Sequence, residues 1–280
     1  MITWAPASMC WRRVPTPVIP DAGPTYDAPA IFSPEDGIAG EVPSLPPALV
    51  LGVDEDLSES VARRGERLAP DLPTAFEYHR LSARVGFVSI LDLGVGAPAA
   101  AIATEKAVAG GAVAVVLLAS AGALQPSTPV DAALLPTRAV RDEGASYHYL
   151  PADEPVTSTA GLVDDLGTVL VDAGVETRRG PVWSTSALFR ETVPQVERYR
   201  DEGFVSVDME SAAVWAVARY RGVDAATVHA VGSVVPTGRT AQDDREEGAD
   251  PPSEPDATER LPALLDPTVR ALESYVEERR

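Results

Sequence analysis

Two carboxylates one residue apart, Asp208 and Glu210, close the apolar stretch Phe204-Val205-Ser206-Val207, and Ser211-Ala212-Ala213 follows at once. This reads as a short strand, a turn and an alanine-rich helix. Ser211, Ala212, Ala213, Ala216 and Ala218 are small enough to let that helix pack closely. Glu210 then falls at the helix N-terminus, where the macrodipole favours an anion. A carboxylate held there can accept two charge-assisted hydrogen bonds from paired hydroxyls. The vicinal diol of a sugar ring supplies such a pair. On its own, Asp-Met-Glu reads first as an acidic helix cap, because carboxylates are common caps.

Four more segments carry residues suited to a ligand. Gly94-Val95-Gly96-Ala97-Pro98 is a glycine turn opening an alanine-rich helix. Ala119-Ser120-Ala121-Gly122-Ala123-Leu124-Gln125-Pro126 is a loop of small residues, which lets backbone N–H groups approach a bound anion. Arg141-Asp142-Glu143-Gly144-Ala145-Ser146-Tyr147-His148-Tyr149 is a polar segment after a strand. Ser184-Thr185-Ser186-Ala187-Leu188-Phe189-Arg190-Glu191-Thr192 offers an aromatic ring beside a cation and an acid. Phe189 suits stacking on a flat heterocycle. Taken singly, each is also an ordinary loop, and Arg190-Glu191 is also an ordinary surface ion pair.

In this order and spacing, from about Ala48 to the C-terminus, the segments resemble the nucleoside phosphorylase superfamily. The branch resembled holds uridine phosphorylase and the hexameric purine nucleoside phosphorylases. The resemblance implies that Glu210 binds the ribose hydroxyls and that Met209 packs under the sugar. It implies a base site at Phe189, Arg190 and Glu191, with Arg239 near the Arg-Thr pair of the pyrimidine branch. It places phosphate at Gly52, Ser120 and Gly122. No catalytic residue is fixed; Arg190 and Glu191 are the candidates. The implied ligands are a nucleoside and phosphate, with no cofactor. The implied assembly is a homo-oligomer, a hexamer or a dimer, or a mixture with a homologue.

The chain departs from the family at the phosphate end. The arginine expected after the first strand falls near Asp56 or Leu57, the one before Ser120 is Leu117, and the one lent by a neighbour falls near Pro73-Thr74. Arg63, Arg64, Arg80 and Arg239 are possible replacements. Ser233 stands near the acid that protonates purines, and serine cannot replace a carboxyl in that role near neutral pH. Three readings follow: a nucleoside phosphorylase of the uridine type, a non-catalytic paralogue that binds nucleosides or partners an active subunit, and a nucleosidase.

The chain carries 42 acidic against 23 basic residues, a net charge of −19, and Lys106 is its one lysine. That balance argues against nucleic acid or an anionic membrane as partner, since both need basic surface. One cysteine, Cys10, excludes an intrachain disulfide and a cysteine-based metal site. The three histidines, His79, His148 and His229, lack metal-ligand spacing, and His79 and His229 read as core or interface residues. Apolar runs such as Ala112–Ala119 are too short for a bilayer. The residues after Arg12-Arg13 hold too much proline for a signal core, so a cytoplasmic location is expected.

Residues 1–46 read as a proline-rich arm, with ten of the 26 prolines in the first 50 positions. Residues 47–280 read as one domain, with an acidic mobile loop at 236–256. Helices are expected at Leu57–Ala69, Pro98–Gly110, Leu162–Ala173, Val193–Asp201 and from about Asp266. Strands are expected at Ala48–Gly52, Ala75–Ser82, Gly86–Leu93, Ala112–Leu118, Ala132–Arg141, Thr177–Thr185 and Ala225–Val231. The alternation implies a three-layer α/β/α fold around a mixed, mainly parallel sheet. High acidity with almost no lysine also suits a high-salt interior. Melting temperature should therefore climb as KCl is raised towards molar concentrations; a protein equally stable without salt would contradict that expectation.

Overall fold

A computed structural model describes residues 28–36, 40–236, 238 and 257–279. Asp54 ends strand β1 (Ala48–Val53) and starts helix α1 (Glu55–Arg64) by accepting a 2.7 Å hydrogen bond from the Leu57 N–H. Gly65 stops α1 five residues before the expected end, and the chain turns into β2 (Glu66–Arg67). An antiparallel pair follows, β3 (Tyr78–Arg80) and β4 (Val85–Ser89), then α2 (Ala97–Ala109) and the long β5 (Ala114–Ala123). Next come β6 (Ala133–Asp142), β7 (Val156–Thr157), α3 (Ala160–Asp172), β8 (Thr177–Thr185) and α4 (Val193–Asp201). The chain closes with β9 (Ser206–Asp208), α5 (Ser211–Arg221), β10 (Asp224–Val234) and α6 (Ala257–Glu278).

Strand alternation builds the layers. Val50, Val116 and Leu118 join one core cluster with Leu57 and Val61 of α1, Leu162 and Leu166 of α3, and Leu261 and Leu272 of α6. Leu49, Leu51, Val115 and Leu117 join a second with Ala100 and Ala103 of α2 and Val214 and Trp215 of α5. The result is the expected α/β/α arrangement on a mixed sheet, and its longer pairings, β1–β4, β1–β5, β5–β10 and β6–β8, are parallel.

The sheet is not simply open. β5 pairs with both β9 and β10, β10 pairs with β6, β6 with β8, and β8 with β9, so five strands close into a ring. A register shift between Val231 and Ser233 of β10 falls at this closure, and such irregularities bend and twist a strand. The sequence pattern held no sign of the closure.

One further boundary differs from expectation. Helix α6 begins at Ala257, before Asp266, and runs through Pro262 and Pro267. Each proline removes a helix donor, yet Leu261, Leu264, Leu265, Leu272 and Tyr275 are buried against the sheet and hold the helix together. The acidic stretch lies almost wholly outside the described residues, as does Arg239. Within the described part of the arm, Lys106 donates to the carbonyls of Pro34 at 2.7 Å and Gly40 at 2.6 Å. No described helix is long and apolar enough to cross a membrane, and no described cluster of acidic, histidine or cysteine side chains has the geometry to hold a metal ion.

Candidate nucleoside site

Helix α5 is capped by residues other than Glu210. Asp208 Oδ2 accepts from the Ser211 N–H at 2.9 Å, and Ser184 Oγ accepts from the Ala212 N–H at 3.1 Å while donating to Asp208 Oδ1 at 2.6 Å. The cap reading therefore belongs to Asp208. His229 Nε2 lies 3.2 Å from Asp208 Oδ2 without the alignment of a hydrogen bond, so it is best described as a close polar contact. The other ring nitrogen of His229 meets Ser206 Oγ at 3.2 Å. Burial alone would raise the Asp208 carboxyl, but His229, Ser184 and the Ser211 N–H hold it below the usual carboxylate range.

This arrangement leaves Glu210 free for another role. Its Oε1 accepts from the Gly96 N–H at 2.7 Å, and its Oε2 accepts from the Met209 N–H at 3.1 Å. Glu210 as a whole is 5% exposed. Burial, with the Asp208 charge adding to it, pushes Glu210 up to about 7 against the pull of those two N–H groups. Each oxygen keeps capacity for another donor. Gly96 sits at φ +89°, a conformation that glycine adopts freely, and Met209 Cε approaches within 3.7 Å of where a β-carbon there would stand. The signature and the glycine turn, 114 residues apart, thus meet at one carboxylate.

The loop after β5 lies alongside. Val207 stands opposite Gly122 in the antiparallel β5–β9 pair, so the chain leaving β9 runs back past Ser120. Ser120 is exposed, and its Cβ is 3.4 Å from where a β-carbon on Gly232 would be. Gly122 is needed for packing: a β-carbon would come within 2.9 Å of both Val207 and Val235. Gly52 has a similar structural reason, since its β-carbon would stand 2.5 Å from the Phe87 ring.

Of the candidate base-site residues, Phe189, Arg190 and Glu191 lie together in a groove of about 580 Å³ lined also by Val196, Val235 and Pro236 among others. Phe189 is 95% exposed there, an open platform rather than part of a core. No ion pair joins Arg190 to Glu191 among the described residues, so Glu191 does not orient the guanidinium as an ion-pair partner. Burial instead pushes the Glu191 carboxyl up to about 7.

At the phosphate end the structure sharpens the departures. The N-terminus of α1, two residues beyond Gly52, is capped by Asp54, with Glu55 and Asp56 in its first turn. An incoming anion would meet the chain's own carboxylates where helix N–H groups would otherwise attract it. Leu117 is fully buried. Arg63 pairs with Glu59, Arg64 with Asp266 and Arg80 with Glu66. Arg63 and Arg64 lie in the last turn of a ten-residue helix, about 12 Å along its axis from the capped end. Within one chain, these three arginines do not rebuild the anion site.

A closed five-strand ring fused to a longer sheet, with a buried glutamate between a glycine turn and a helix N-terminus, defines an α/β architecture with a candidate site at the ends of its strands. Residues 48–270 match the phosphorylase superfamily, and the chain belongs to that family. It is 29% identical over 141 residues to the guanosine phosphorylase of Halorubrum lacusprofundi, covering 50% of this chain and 58% of that protein. It is 25% identical over 158 residues to the uridine phosphorylase of Salmonella typhimurium, covering 51% and 62%. These alignments span about three fifths of the relatives' length. Among solved structures, uridine phosphorylase from Vibrio fischeri aligns with TM-score 0.68 and 23% identity over 88% of this chain and 99% of that one. AMP nucleosidase from Bacteroides thetaiotaomicron aligns with TM-score 0.63 and 19% identity over 84% and 91%. At such identities these two likenesses show the fold.

The raised Glu210 carboxyl sets a pH test. The folded protein retains a proton that the unfolded chain releases above about pH 4.5, so this group's contribution to stability falls as pH rises through about 7. The stability advantage of Glu210→Gln over wild type should widen by about 2 kcal/mol between pH 5.5 and 8.5 in urea titrations. A difference independent of pH would contradict the buried-carboxyl assignment.

Proposed function

We propose that the protein splits the N-glycosidic bond of a nucleoside with phosphate, giving a free base and a pentose 1-phosphate. The observation that carries this reading is the Glu210 carboxylate, held by Gly96 and Met209 with acceptor capacity to spare. A ribose diol is the ligand chemistry that fits it. Kinship with guanosine and uridine phosphorylases supports phosphate as acceptor. The groove at Phe189, Arg190 and Glu191 would take the base, and Ser120 with the backbone near Gly122 would face the anion. Breaking the bond develops oxocarbenium-like charge on the sugar, and hydrogen bonds to its hydroxyls that tighten with that charge lower the barrier. Ser233 in place of the acid that protonates purines favours a uridine-type base, and Arg239, which leans the same way, lies outside the described residues. Residence in the cytoplasm of a salt-rich cell and a homo-oligomeric state remain parts of this proposal.

A second reading, a nucleoside-binding or partner subunit without turnover, is favoured by the carboxylates at the α1 N-terminus and the paired arginines. Release of free base from uridine, thymidine, inosine, guanosine and adenosine in high KCl, with and without phosphate, separates these. Phosphate-dependent release is expected, and Glu210→Ala should lower kcat/KM on ribonucleosides about 10- to 100-fold. Release that ignores phosphate would mean a hydrolase. Binding without release would mean the second reading.

A further inference from the structure

We propose that Glu191 is the general acid that delivers a proton to the departing base, an inference that rests on the cleavage reading above. The groove supplies the setting. Its walls are largely apolar, with Leu188, Phe189, Val193, Pro194, Val196 and Val235 among the residues lining it. Among the described lining residues, Glu191 is the one carboxylic acid and Arg190 the one cation. The volume, about 580 Å³, falls in the range of small-molecule sites.

The walls are tied down on both sides. Arg190 N–H donates to the Ala187 carbonyl at 2.6 Å, fixing the turn that presents Glu191. Gln195 Oε1 accepts from Thr192 Oγ1 at 2.7 Å and fixes the start of α4 just beyond. Further along α4, Arg200 donates to the carbonyl of Leu124 at 2.6 Å and to that of Val235 at 2.9 Å, tying the helix to the strand end that lines the groove. Val196 and Val235 also pack in the cluster that contains Val207. Glu210 follows Val207 by three residues, through the bend at Met209 that ends β9, a span of at most about 10 Å. A ligand whose sugar engages Glu210 therefore has its base within reach of this groove.

The chemistry needs one proton there. As the C1′–N bond breaks, its electron pair goes to the base, and the Glu191 carboxyl passes its proton to that base. A phosphate oxygen bonds to C1′. The proton that the resulting sugar phosphate releases returns to the Glu191 carboxylate through solvent, so the acid is regenerated. Desolvation by the groove, with no paired cation among the described residues, keeps a substantial share of Glu191 protonated near neutral pH. An acid with its pKa near the working pH is the efficient donor. Ser233, at the end of the neighbouring strand β10, cannot serve as one.

The test compares two leaving groups. Guanosine and uridine release bases that need a proton. The cation of 7-methylguanosine releases a base that departs neutral without one. Glu191→Gln should lower kcat/KM on the first pair by 10²- to 10⁴-fold, and on 7-methylguanosine by less than tenfold. Glu191→Asp should restore part of the loss, and the alkaline fall of the wild-type pH profile near 7 should vanish in Glu191→Gln. Equal losses on all three nucleosides would overturn the acid role and leave Glu191 as a contact to the base. Wild-type protein that binds all three and releases no base would overturn the cleavage reading, and the acid with it.

Discussion

One nearly buried carboxylate organises the candidate site. A glutamate this far from water is costly as an anion unless donors face it, and here the backbone supplies two. The Gly96 N–H comes from the turn that opens α2, and the Met209 N–H from the turn that opens α5. Ala97 and Ala101 of α2 pack against Ala213 and Val217 of α5, and the small side chains let the two helix starts approach. The alanine content of both helices, a packing feature in itself, thereby sets the position of Glu210.

A division of labour makes this possible. Asp208 and Ser184 satisfy the first N–H groups of α5, while His229 and Ser206 sit behind them in the interior. Two acids one residue apart thus have different work. One is held ionised within the helix cap, and the other is held close to the point of protonation. Environments that push neighbouring carboxyls in opposite directions are a recurrent mark of functional sites. The opposite end of the site follows another logic: α1 carries its own acids where an anion would be welcomed, and within one chain Arg63, Arg64 and Arg80 are engaged by acids of their own.

Much of this was legible in the sequence, for identifiable reasons. The continuous apolar runs of β1 and β5 and the alanine-rich α2 and α5 gave the layers. Thr177–Thr185 and Val193–Asp201 match their elements end to end. The Asp-Met-Glu spacing placed Glu210 beside a helix start. What was hidden depended on distant contacts. The Gly96–Glu210 bond spans 114 residues, and the ring closure depends on β5 finding two partners that only the folded chain brings together. The early start of α6 was masked by Pro262 and Pro267, where burial outweighs local propensity. Asp208 as the true cap, with Ser184 from another strand, could not be read from spacing. The isolation of Glu191 from Arg190 likewise ran against their adjacency.

The central claim is that Glu210 binds the sugar diol. Isothermal calorimetry at pH 8 of one ribonucleoside against its 2′,3′-dideoxy counterpart tests it most directly, because base and overall shape change little. Binding of the ribonucleoside should be clear, and loss of both hydroxyls should weaken it about 100-fold or more. Equal affinities for the two would contradict the claim and remove the ribose from Glu210.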